Sequence, residues 1–404
     1  MTVFRVPTIL ELFSASLQSA AGTQVTAPTT SDLMQFLKCD LNPSIENIKR
    51  EDKGLGRSYF GYLAPGKQSA QWSADLYAII ASGVPAGPPA PPAFDNLLVG
   101  AMGASVVSFS DTVQAAPTPT TTSFAVSNAA SLKVGNMVAV NVGGAFGWQM
   151  RPISAIAGNT LTFSIPFGAA PAAASVVQGR IYNLGSAINL YTIVSWLRDT
   201  ASVISMLSRM AVDSYVDKLS FDCNSSIVSL SAGGPASYVV EKQSPASGTY
   251  NGTFPTLPAL PTNWTTGFAP ETPYLNGEVY LDTTALTAYA FKLSIDNGGK
   301  QLPVPFGSQF ADGVMYGQRN VMMDLEVDGN SGNYAYLLDA EQKNPHALFA
   351  HTGQTIGQFI GFYSPKMVLG LNDINKSDVT VRLPFTSSAL FATAADNELS
   401  ITVA

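Results

Sequence analysis

The chain is 404 residues long; 46% of them are hydrophobic and only 12% charged, about half the charged share of an ordinary soluble domain. Its net charge is −7 and its 21 Lys and Arg residues are scattered without a basic run, which argues against tight binding to phosphate backbones. The length exceeds one ordinary core and calls for two or three domains. A polar surface so poor in charge and so rich in Ser, Thr, Asn, Gly and Ala is read as one covered by neighbouring subunits, the alternative being a monomer with a neutral surface.

In chain order, residues 1–40 read as an N-terminal arm. Ile9, Leu10, Leu12, Phe13 and Leu17 recur at the spacing of an amphipathic helix, and a Thr/Pro/Ala spacer separates them from a second apolar segment, Leu33 to Leu37. The stretch MTVFRVPTILELFSASL holds Arg5 and Glu11 among its apolar residues and lacks a clean cleavage pattern, so it does not read as a signal peptide. Nor does any apolar run reach the roughly 18 residues of a membrane-spanning helix, and folding in a cytoplasm is expected. The densest charge cluster, ENIKREDKGLGR at 46–57, is of mixed sign. Its Lys49, Arg50, Glu51, Asp52, Lys53 and Arg57 read either as a solvated loop or as a contact between stacked subunits.

GKQSAQWSADLYA at 66–78 alternates, with Ala70, Trp72, Ala74 and Leu76 on one face and Ser69, Gln71, Ser73 and Asp75 on the other, as a half-buried strand does. After the Gly/Pro bend, Phe94, Leu97, Leu98 and Met102 recur at helical spacing, with Gly103 placed to end the helix. Two low-complexity seams, QAAPTPTTT at 114–122 and AAPAAAS at 169–175, bracket a segment with strand signals of its own. Phe124 and Val126, then Val138, Val140 and Val142, then Leu161, Phe163 and Ile165 alternate, and AGNT at 157–160 supplies a tight hairpin turn. The segment 117–182 is therefore predicted to be a small β-barrel inserted into a larger unit. That unit resumes at YTIVSWLRD and at DKLSFDCNSSIVSLSAG, where Leu219, Phe221 and Cys223 alternate against Ser220 and Asp222.

Residues 244–276, rich in Pro, Ser, Thr, Gly and Asn, read as an extended linker. Beyond them Tyr289, Phe291, Leu293 and Ile295 alternate, then Val321, Met323, Leu325 and Val327. A second helix is predicted at NYAYLLDAEQKNP, with Asn333 as cap, Tyr334, Leu337 and Leu338 as apolar face, and Asn344-Pro345 as stop. Strands return at TVRLPF and NELSITVA. Strands, one helix and more strands thus occur twice, which hints at internal duplication although no residue-level repeat is visible. Both helices are expected on the outside of their sandwiches.

Catalysis has no positive signal. His346 and His351, the two histidines, are five residues apart and fit neither a helical zinc pair nor a zinc finger. Cys39 and Cys223 are too few and too distant for a disulfide framework and read as buried thiols. There is no nucleophile elbow and no phosphate-binding loop, and GLGRSY at 54–59 lacks the third glycine of a dinucleotide fingerprint. DLEVDG at 324–329 matches the first half of a calcium loop, but the twelfth position is Ala335 rather than a bidentate Glu. An acidic strand face fits it better. No enzyme, no cofactor and no metal are expected.

Residues 56–104, with PGK before an alternating strand ending in Tyr, a Gly/Pro bend and a helix of the form P-x-F-x-x-L-L-x-x-x-G, resemble the N-terminal segment of the tail tube proteins, or major tail proteins, of long-tailed bacteriophages. GQRNVMMDLEVDG, GQTIGQFIGFYSPKMVLG and NELSITVA are similar to the last part of the same proteins, so the resemblance covers most of 41–115 and 183–404. The segment 117–182 departs from that pattern and resembles small β-barrel insertions of phage structural proteins. The resemblance implies a mainly β fold with two tail-tube-type sandwich or barrel units, each flanked by one α-helix. The first is 41–116 with 183–245 and the second is 277–404, joined by a linker at 246–276.

The same resemblance implies a virion protein, assembled in the host cytoplasm, whose partners are copies of itself. Sheets of neighbouring subunits join edge to edge around a channel, a duplicated chain forms a trimeric ring rather than a hexamer, and rings stack into a tube. A tape measure lies inside, terminator and tip proteins at the ends, and DNA passes without specific binding. A lumen rich in Lys and Arg would hold DNA by counterion release, so Asp75, Asp222, Asp324 and Glu326 are candidates to face the channel, the alternative being ordinary outer-surface pairs. The arm and the 46–57 loop are candidates for ring stacking. Two rival readings are a virion surface protein whose inserted barrel grips host glycans through Trp148 and Tyr182, and a contractile secretion tube.

Overall fold

The computed structural model describes residues 11–48, 64–80, 87–103, 106–198, 205–223, 227–243, 254–255, 257–259, 277–308, 310–311, 313–372, 374, 381–390 and 397–404. The fold is mainly β, as the alternating segments predict, with two α-helices among the described residues. No described helix is long and apolar enough to cross a membrane.

The largest feature is a run of seven antiparallel strands. In spatial order these are β3 (Lys38–Ile48), β4 (Ala64–Tyr77), β14 (Ser229–Ala236), β13 (Lys218–Asp222), β18 (Ala288–Asp296), β21 (Asn320–Asp328) and β24 (Arg382–Leu390). Strands before and after the inserted segment are adjacent here, β4 pairing with β14. The two halves of the chain then meet edge to edge where β13 pairs with β18. Alternation holds throughout: Trp72, Leu76, Leu230, Phe221, Leu293, Met323 and Leu325 are buried on one face.

A second layer covers that face. The sheet passes from β24 into β23 (Ile360–Leu371), which pairs with β22 (Pro345–Thr352) and β25 (Ser400–Val403). β22 in turn pairs with β16 (Glu278–Leu281), which forms a hairpin with β17 (Thr284–Leu286). The two layers share one continuous apolar cluster, in which Phe362 lies 5.2 Å from both Phe221 and Phe291. Such aromatic pairs contribute beyond their buried area.

Helix α1 (Asp95–Met102) ends as predicted at Gly103, whose φ of 66° lets its N–H reach Val99 O. Leu97, Leu98, Ala101 and Met102 are all buried, because the helix contacts β13 on one side and the N-terminal strand on another. A Cβ on Gly100 would come within 2.6 Å of Val216 and 2.9 Å of Tyr191, so nothing larger than glycine fits there. The expectation of an outer helix is corrected for α1. Helix α2 (Ala335–Gln342) covers β23 from outside. Its packed residues are Tyr336, Leu337 and Ala340, whereas Tyr334 and Leu338 of the predicted apolar face are exposed. Asn333 does not cap the helix. Its side-chain amide donates to Asp328 O at 2.8 Å, and Tyr334 occupies the N-cap position.

The N-terminal segment also departs from expectation. Glu11–Leu17 is a strand, β1, and not a helix; it lies between β11 (Tyr191–Arg198) and β2 (Leu33–Met34) in a five-stranded sheet completed by β12 (Ser205–Ser214) and β15 (Tyr238–Gln243). The residues at helical spacing also alternate, and the long partner at 191–198 decides between the two periods. Phe13, Ala15 and Met34 face the main core. From Glu11 onward the segment is therefore part of the body rather than a free arm.

The inserted barrel has β5 (Val106–Thr112), β6 (Ser123–Ala125), β7 (Met137–Gly143), β8 (Gly147–Ala157), β9 (Thr160–Phe163) and β10 (Val176–Asn183). Its strands follow the order β5, β10, β7, β8, β9, β6, and the circle closes where Gln114 N–H donates to Ala125 O at 2.8 Å. The barrel therefore begins with β5, ahead of the predicted boundary at 117. The alternating Val138, Val140, Val142, Leu161 and Phe163 fill its interior, and Phe163 packs on Phe124 and Phe167. Ile165 instead points to a separate cluster between barrel and second layer.

Candidate assembly surface

The uncovered face of the seven-stranded run is mostly polar, with Met322 among its exposed apolar side chains. One row across it reads Lys38, Asp75, Ser231, Ser220, Ser294 and Met322, and the neighbouring row reads Ser229, Asp222, Lys292, Asp324 and Thr386. All four acidic candidates, Asp75, Asp222, Asp324 and Glu326, thus lie on this one face, although they come from three strands far apart in sequence. Period-2 alternation places each side chain, and strand register brings them together.

The charges are interleaved rather than segregated. Asp75 accepts from Ser231 Oγ at 2.7 Å, Glu326 lies 3.5 Å from Arg382 Nη1, and Lys218 lies 3.5 Å from Asp296. Lys38 pairs with Asp40. The Arg382 guanidinium also sits over Tyr289, 4.3 Å from the ring centre. Eight carboxylates (Asp40, Glu46, Asp75, Asp222, Asp296, Asp324, Glu326, Asp328) face five cations (Lys38, Lys67, Lys218, Lys292, Arg382) along the outward positions. The face is slightly acidic and nowhere basic enough to grip a polyanion.

One edge of this sheet is open. β3, 11 residues long, registers with β4 alone, and among the described residues no strand pairs along its other side. It carries Pro43, a residue suited to edge strands. Leu37 and Ile45 on this edge are exposed by 54% and 51%. The proposed stacking loop, with Lys49, Arg50, Glu51, Asp52, Lys53 and Arg57, lies outside the described residues, as does most of the 246–276 linker.

Elsewhere the polar clusters tie elements together. Arg180 grips Asp95, at the start of α1, with two bonds of 2.8 Å, and the Tyr182 hydroxyl donates to the same carboxylate. Tyr182 is buried and its phenol is pushed well above its ordinary pKa by burial, so it offers no face to a sugar. Trp148 packs into the cluster between barrel and second layer. At that same junction buried Arg151 pairs with Glu278 at 2.8 Å and lies over Tyr280, while His351 Nε2 stands 3.5 Å from Glu278. The His351 imidazole and the Arg151 guanidinium hold the Glu278 carboxyl down at about 2.

His346 faces Asp282 at 2.8 Å and Asp339 at 3.4 Å, an arrangement that fastens α2 to the β16–β17 hairpin. Among the described residues no three His, Cys, Asp or Glu side chains are grouped to hold a metal. Cys223 is buried, and burial pushes its thiol up to about 12; Cys39 is half-buried and likewise raised by burial. Neither thiol is poised as a nucleophile. The Arg151–Glu278–His351 group leaves no signal in the sequence, since nothing local links three residues on three strands. The chain matches no protein-family model and no curated protein.

Proposed function

We propose that this chain is a structural protein that completes its sheet with sister copies around an axial channel, forming stacked rings like those of a phage tail tube. The observation that carries the reading is the seven-stranded run itself. It joins two halves of the chain edge to edge at β13 and β18, presents one continuous face, and among the described residues leaves the β3 edge without a strand partner. An open edge of this length is a site for another chain.

Strand spacing favours three copies. Seven strands at about 4.8 Å span roughly 34 Å, so three copies give a circumference of about 100 Å and a backbone diameter of about 32 Å, or about 42 Å with a barrel-like tilt. Less the inward side chains, a bore of about 20–30 Å remains, enough for a duplex roughly 20 Å across. Six copies would leave a bore more than twice as wide as the duplex. The near-neutral, slightly acidic face then acts as a lining along which DNA slides, with Asp75, Asp222, Asp324 and Glu326 inward. The glycan-binding reading loses support because Tyr182 is buried.

Negative-stain imaging of the purified protein tests the proposal: trimeric rings or tubes with a central bore are expected, and a solitary particle without a bore rejects it. Ile45→Lys puts a charge on the open edge and should abolish ring formation while leaving subunit stability within about 0.5 kcal/mol. Rings that form normally from this variant would show that β3 is not the joining edge.

A further inference from the structure

The hairpin that follows β18 is formed by β19 (Lys300–Gln301) and β20 (Val314–Met315), and it carries an apolar knob. Phe306 at its tip is 110% exposed, with Leu302 and Met315 exposed beside it. No described residue shelters this ring. At the other end of β18, eight residues back and so about 26 Å away along the strand, lies a cavity of about 190 Å³ between the layers, lined by Val279, Leu286, Phe291 and Phe362. A largely apolar cavity of about 150 Å³ suffices for benzene, so this one has room for a phenyl ring.

A further feature favours an entering chain over permanent emptiness. His351 and Thr352 line the cavity, and their Nδ1 and Oγ1 are buried without a partner among the described residues. Buried polar groups left unpaired are costly, and the backbone of an inserted loop supplies partners.

We propose that Phe306 of one copy seats in this cavity of the next, so that rings couple head to tail through knob and hole. A patch and a complementary pocket at opposite ends of one molecule make a heterologous contact, which propagates as an open stack rather than closing on itself. The inference rests on the ring-forming reading above and adds what links one ring to the next.

Phe306→Ser is the first test, since the side chain is exposed and its loss leaves the subunit fold alone. Rings should persist by electron microscopy while the concentration needed for long tubes rises about tenfold or more, the effect of leaving one phenyl group unburied. The second test is p-benzoyl-phenylalanine in place of Phe306 in the full chain, with photo-cross-links mapped by mass spectrometry. Cross-links to residues 277–291 or 350–362 of another copy are expected. Tubes of wild-type length from Phe306→Ser, loss of the rings themselves, or cross-links confined to other surfaces would each overturn the assignment. Wild-type protein that forms no ring at all would instead remove the premise and the inference with it.

Discussion

The inserted barrel and the seven-stranded run are both antiparallel and both bury an alternating apolar face, yet only the barrel closes. Its six strands bend tightly enough for the Gln114 N–H to reach Ala125 O, and Phe124, Phe163 and Phe167 fill the interior. Its pairs close the circle within the segment, except where β10 runs on to β25. The seven-stranded run is covered on one face by the second layer and does not curl onto itself, so among the described residues β3 is left open. Closure is therefore a matter of curvature and covering, not of strand composition.

The two regions are nevertheless welded. β10 pairs with β5 along one edge, while its other edge follows β7 at Val177 and Gln178 and then β25 from Arg180 onward. Gly179 stands at the change of partner, where a Cβ would come within 3.1 Å of Thr402.

The sharpest way to separate the regions is Phe124→Ala, which removes the centre of the barrel's aromatic stack and should cost about 3–5 kcal/mol in urea unfolding. Ring formation at low temperature should survive it, because β3 is untouched. Loss of rings at a temperature where the variant is folded would show that the barrel belongs to the assembly surface. Next in size is Arg180→Met, which strips the guanidinium from Asp95 and leaves that carboxylate, 19% exposed, with the Tyr182 hydroxyl alone among these donors. About 3 kcal/mol is expected, the lower end for breaking a buried pair. Replacing Asp95 by Asn as well should recover part of the loss, and no recovery would mean that the pair is not what holds α1 to β10.

Glu278→Gln should have the smallest effect at neutral pH, because Glu278 is partly open to solvent. Its value is the pH dependence. A carboxyl held down at about 2 in the folded protein and near its ordinary value when unfolded contributes stability that is full above about 4.3. That contribution disappears as pH falls toward 2. The wild-type melting temperature should thus fall more steeply than that of the variant over this window. Parallel curves would remove the Arg151–Glu278–His351 junction from the account of how barrel and body are joined.

Much of the strand content was legible because alternation is a local property. Leu219, Phe221 and Cys223 are buried as their pattern predicts, as are Leu293 and Ile295, and Gly103 ends its helix. Segments that satisfy two periods at once were not legible. Leu12, Phe13 and Leu17 fit a helix, but residues 191–198 supply a ladder along the whole of β1, and the sheet wins. Tyr334 and Leu338 fit an apolar face that no described residue covers. Tyr182 looked like an available ring until Arg180 and Asp95 enclosed its hydroxyl.

By itself the chain's order of residues determined where the strands with one clear period form, which of their side chains point inward, and the low charge of the polar faces. These depend on neighbours two to four positions away. Only the tertiary structure decided that Asp75, Asp222, Asp324 and Glu326 share one surface, that β13 meets β18, and that among the described residues β3 pairs with β4 alone. Register between strands separated by tens to hundreds of residues is set by the summed packing of both layers, and no local pattern encodes that sum.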